Sequence, residues 1–142
     1  MRRVVFLMVL VLMVSCEQES MELDALGSNA SIIGTWIEDE YKGDTLYLQR
    51  HGAFDMEKYG FTINDDGTFI ERKNSGWCGT PPIAYDNFEG NWEAVSDSLL
   101  DITVAYWGGM MTYQIRIIYL DAEELSIRYL YTEDRVDALR PN

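Results

Sequence analysis

The sequence predicts an all-β domain built as an eight-stranded antiparallel up-and-down barrel. Three observations predict it. Short runs rich in β-branched and aromatic residues alternate with polar positions across residues 32–142. No stretch keeps the three-to-four-residue apolar spacing of a helix. The breaks between runs are mostly hairpin-length, rich in Gly, Asn and Asp, and leave no room for crossovers. Eight strands can close on themselves and so remove both sheet edges.

Taken in order, residues 32–41 form the first strand, and Lys42-Gly43-Asp44 turns it into a second at 45–50. A looser segment, 51–59, leads to a short strand at 60–64, and Asp65-Asp66-Gly67 makes a tight turn into 68–73. A loop with the sequence GWCGTPPIAY at its centre follows, flexible at its glycines and stiff at Pro81-Pro82. The last four strands are 88–95, 99–107, 111–120 and 125–131. Alternation gives each of these four an apolar face: Phe88, Gly90, Trp92 and Ala94; Leu100, Ile102, Val104 and Tyr106; Met111, Tyr113, Ile115, Ile117 and Tyr119; Leu125, Ile127, Tyr129 and Tyr131. The agreement of four consecutive strands on one apolar and one wetter face is what a barrel requires.

Upstream of the domain, Arg2 and Arg3 precede an unbroken apolar run, Val4 to Val14. That run falls well short of the roughly 20 residues that span a bilayer core, and fits the apolar part of an export signal. Val14-Ser15-Cys16, a small residue directly before cysteine, resembles the lipobox of bacterial lipoproteins. The resemblance implies a lipoprotein signal peptide at 1–15 and lipid attachment at Cys16, with a flexible acidic tether over 16–31. It places the protein at the outer membrane, held through lipid on Cys16, on either the periplasmic face or the cell surface.

The chain has 11 basic and 24 acidic residues. Losing Arg2 and Arg3 leaves nine basic residues against the 24, a formal charge of −15. Such a surface repels nucleic acid, which excludes that class of partner, and suits a basic protein or a cation.

The order Gly34-Thr35-Trp36, Phe61, Asp66-Gly67-Thr68-Phe69, Gly90-Asn91-Trp92 and Leu120-Asp121 with Leu125 resembles the bacterial lipocalin-like lipoproteins. The resemblance implies a small exported lipocalin-like barrel without enzymatic activity. In lipocalins an arginine covers the tryptophan at the closed end. The candidate for it here is Arg128, which alternation turns outward, and the T-D-Y motif is absent.

No catalytic constellation stands out. The single histidine, His51, lies in the loose segment, and nothing places it beside Cys78. Asn64-Asp65-Asp66-Gly67 lacks the alternate ligands of a calcium loop and reads as a hairpin turn. No metal site or cofactor is implied. The candidate ligand-binding residues line the barrel interior: Trp36, Phe61, Phe69, Trp92, Tyr106, Tyr113 and Tyr129. These rings either fill the lumen or share it with one small hydrophobic ligand. Trp77, Cys78, Ile83 and Tyr85 form a candidate lid across one rim, or an apolar patch for a partner. A protein-interaction module, such as an inhibitor of a basic envelope-attacking enzyme, is the alternative function.

Overall fold

A computed structural model describes residues 31–76 and 81–130. The segments 1–30, with Cys16 and most of the tether, 77–80, with Trp77 and Cys78, and 131–142 lie outside the described residues.

Among the described residues, eight strands close into one antiparallel barrel. They are β1 (Gly34–Lys42), β2 (Thr45–His51), β3 (Gly60–Ile63), β4 (Thr68–Asn74), β5 (Tyr85–Ser96), β6 (Leu99–Tyr106), β7 (Gly109–Leu120) and β8 (Glu124–Leu130). β5 starts three residues earlier than alternation suggests. Tyr85 therefore belongs to the ladder, paired with Asn74, rather than to the loop.

The order around the barrel is β1-β2-β8-β7-β6-β5-β4-β3. The expected up-and-down order therefore holds from β3 to β8 but not at the β1–β2 hairpin. That hairpin is inserted the other way round, with β1 against β3 and β2 against β8. The physical cause lies in the connection. β2 and β3 run in the same direction on opposite flanks of β1, and a tight turn cannot join two such strands. Residues 52–59 make the crossover. Arg72, outward on β4 because Phe69 and Glu71 point inward, holds it to the outer wall: Nε donates to the Asp55 carbonyl (2.9 Å) and Nη2 to the Met56 carbonyl (2.8 Å). Ile37 also faces outward, opposite Trp36, and is nevertheless only 2% exposed. A segment crossing the outside of β1 accounts for that burial.

The interior is a continuous apolar core of Trp36, Leu46, Leu48, Phe61, Ile63, Phe69, Leu100, Ile102, Val104, Ile115, Ile117, Leu120, Leu125 and Ile127. Phe61 and Phe69 stack with centroids 5.5 Å apart. A register shift between Ile117 and Tyr119 reverses the phase at the end of β7. Tyr119 is consequently 45% exposed and Leu120 takes the inward position.

Gly90 is required by close approach. A Cβ on Gly90 would lie 2.2 Å from the Thr103 carbonyl oxygen and 2.7 Å from Val104 Cα, both backbone atoms of the neighbouring strand. Gly90→Ala is therefore expected to destabilise the barrel by about 1–3 kcal/mol through overpacking. Gly52→Ala, with no atom within 4 Å, should be near neutral. Urea unfolding of the two variants beside the wild type checks both expectations.

Candidate functional site: the interior at the barrel mouth

The strand directions give the barrel two distinct ends. At one end, the base, lie the turns after β3, β5 and β7 and the start of β1. At the other, the mouth, lie the β1–β2 turn, the β4–β5 loop, the β6–β7 turn and the end of β8.

The base is sealed. Trp36 is fully buried, and its indole N–H donates to the Ile32 carbonyl at 2.8 Å. The Arg50 guanidinium lies 4.1 Å from the centre of the Trp36 ring. It donates to the Ala122 carbonyl (2.6 Å), the Ile33 carbonyl (2.7 Å) and the Ser31 carbonyl (2.5 Å). Burial lowers the pKa of Arg50, and the nearby carboxylates of Glu123 and Asp121 oppose that shift. Trp92 closes the opposite side of the base, its indole N–H donating to the Asn64 carbonyl at 2.8 Å.

An arginine thus covers the tryptophan, but it is Arg50 rather than Arg128. Arg128 does point outward, where it pairs with exposed Asp44 at 3.0 Å. The signal for Arg50 was present in β2, where Leu46 and Leu48 point inward and the next alternate position is Arg50.

The mouth half of the interior has different chemistry. Glu71, inward on β4, is 4% exposed. Its Oε1 accepts from Tyr59 Oη at 2.7 Å and from Tyr113 Oη at 3.0 Å. Its Oε2 pairs with Lys73 Nζ. Tyr59 and Tyr129 hydroxyls lie 2.6 Å apart. Because the Tyr59 hydrogen is committed to Glu71, Tyr129 is the donor in that bond. The Tyr113 and Tyr129 rings meet edge to face with centroids 5.5 Å apart. Lys73 Nζ lies 5.2 Å from the Phe88 ring centre and 3.7 Å from Met111 Sδ, so β4, β5 and β7 converge on one ammonium.

Of the sequence-predicted interior residues, Trp36, Phe61 and Phe69 are fully buried, and Trp92, Tyr113 and Tyr129 pack against that core while staying partly exposed. Tyr106 sits at the rim, edge-on to Trp107 at 5.7 Å. Of the lid residues, Ile83 is 43% exposed and Tyr85 is in β5. His51 ends β2 at the base, the end opposite the β4–β5 loop. Sequence reasoning missed Tyr59, Glu71 and Lys73. The signal for the last two was their even spacing from Phe69; Tyr59 precedes its strand and left none.

A groove of about 450 Å³ lies on the outer wall, where Thr68, Ile70, Glu89, Asn91 and Met110 line it. Phe69 and Gly90 also line it, while the other positions alternate with these inward ones, and the groove includes no residue of the Glu71 cluster.

Burial, reinforced by the neighbouring phenols and the Glu71 carboxylate, raises the pKa of Tyr59 and Tyr113 well above the ordinary 10.0. Below pH 10 both phenols are neutral in the folded and unfolded chain alike. Above it the unfolded chain loses their protons first, so stability falls as pH rises past 10. Urea titrations at pH 9, 10 and 11 should show that fall, with a shallower slope in Tyr59→Phe and Tyr113→Phe. At the base, Arg50→Ala is expected to cost about 2–3 kcal/mol, because it strips charged donors from three carbonyls and uncovers Trp36. Arg128→Ala, at an exposed pair, should stay within about 0.5 kcal/mol, and thermal unfolding of the two compares them.

No family model, no curated protein and no solved structure matches the chain.

Proposed function

We propose that this chain is a non-enzymatic, lipid-anchored envelope protein whose lipocalin-like barrel binds one small, largely apolar molecule at its mouth. The observation that carries the reading is the contrast between the two ends of the interior. The base is closed by Trp36, Arg50 and Trp92. Toward the mouth, Tyr59, Glu71, Tyr113 and Tyr129 bring hydroxyls and a carboxylate together among apolar side chains, with the Lys73 ammonium and the Phe88 ring partly exposed beside them. A pocket with apolar walls and a few convergent polar groups is the usual form of a small-molecule site. The arginine-covered tryptophan at the base supports the lipocalin-like part of the reading. The lipid anchor rests on Val14-Ser15-Cys16.

A second reading is favoured by the rim. Trp107 is 63% exposed at the tip of the β6–β7 turn, and Ile83 and Met110 are also exposed at the mouth. On an acidic chain such a patch suits a basic protein partner, as an inhibitor of an envelope-attacking enzyme would have.

Native mass spectrometry of the exported protein, purified without detergent, tests the first reading: a bound mass that leaves on activation is expected. A bare protein mass, together with failure of every small amphiphile to bind on titration, would contradict it. Tyr113→Ala should weaken small-molecule binding while Trp107→Ala leaves it intact. Under the second reading Trp107→Ala has the larger effect and binding falls steeply with salt. Cys16→Ser should release the protein from membranes, and retention there would refute the anchor.

A further inference from the structure

We propose that the mouth of the barrel is a seat for an organic cation, an ammonium carried on a short apolar body, and that Lys73 occupies this seat in the free protein. The inference rests on the reading of the interior as a ligand site and names the chemistry of the ligand.

The fixed part of the seat consists of acceptors. Every phenol hydrogen in the cluster is spent inside it: Tyr59 and Tyr113 donate to Glu71, and Tyr129 donates to Tyr59. What the cluster offers an incoming group is therefore oxygen lone pairs and one carboxylate. Such a surface complements a donor with positive charge.

The ammonium of Lys73 shows that the seat fits such a group. It pairs with Glu71 Oε2, lies 5.2 Å from the Phe88 ring centre and touches Met111 Sδ at 3.7 Å. A carboxylate with an aromatic face and a polarisable sulfur is a favourable surround for an alkylammonium. An anionic ligand in the same place would lie close to the Glu71 carboxylate and be repelled. Asp86, exposed and paired across from Lys73 in the β4–β5 ladder, adds a second negative charge at the rim.

Lys73 is also the displaceable partner. Its side chain is 18% exposed against 6% for Glu71, and its flexible stem ends at the mouth. Glu71 is held by two phenols, whereas beyond Glu71 Lys73 has, among the described residues, only the Phe88 ring face and one thioether contact, a weak acceptor. An external ammonium can take over the Glu71 contact while the Lys73 side chain turns to solvent. The apolar body of the ligand would then lie along Phe88 and Met111.

Calorimetric titration of the full chain with hexylamine, hexan-1-ol and hexanoate at pH 7 tests this. Hexylamine should bind, with hexanoate weaker by about tenfold or more, a gap of roughly 1.4 kcal/mol or more. Lys73→Met, which removes the resident competitor, should tighten hexylamine, and Glu71→Gln should weaken it. Equal or tighter binding of hexanoate or hexan-1-ol to the wild type would overturn the cation assignment while leaving the pocket standing. Weaker hexylamine binding in a folded Lys73→Met would overturn the shared seat. If none of the three probes binds the wild type, the pocket reading falls together with this inference.

Discussion

A carboxylate inside a β-barrel is the constraint around which the mouth half of this interior is arranged. Moving Glu71 out of water carries a penalty of several kcal/mol unless its oxygens are hydrogen-bonded and its charge is matched. Tyr59 and Tyr113 bond one oxygen and Lys73 the other, and these groups come from β4, β7 and the approach to β3. Tyr129, on β8, joins through Tyr59. The Glu71 network therefore ties together strands that the backbone ladder pairs only at a distance. Its own requirements keep the upper interior polar where an apolar core could have continued.

The base meets the opposite requirement. There the interior must end without leaving an open apolar surface, and Trp36 under Arg50 ends it. One guanidinium bonded to the Ser31, Ile33 and Ala122 carbonyls fastens the entry to β1 to the β7–β8 turn. A sealed base and a polar mouth give the barrel a direction, and the proposed single-entry site rests on that direction.

Much of this was legible in the sequence, for a simple reason. Along most of β5 to β8 the period of two holds over long stretches, so the inward faces there follow directly from the residues. Alternation fails where backbone irregularities change its phase, as at Ile117–Tyr119, where the shift sends Tyr119 outward and Leu120 inward. The inverted β1–β2 hairpin was not legible, because alternation says which face a strand buries but not which neighbour it pairs with. The length of the 52–59 segment was the available clue, and Arg72, buried on the outer wall, shows its path. Arg50, Glu71 and Lys73 do not stand out in the sequence, because charged residues on a strand normally face water. Their even spacing from Leu48 and Phe69 outweighs that expectation, since turning them outward would turn those residues outward as well.

Proton NMR of the tyrosine hydroxyls tests the central claim, that Glu71 organises the upper interior, most directly. At neutral pH, two hydroxyl protons, from Tyr59 and Tyr113, should resonate well downfield and exchange slowly with water. Both should vanish from that region in Glu71→Gln. Hydroxyl signals averaged into the water line in the wild type would mean that the carboxylate does not hold the phenols, and the account of the mouth would fail.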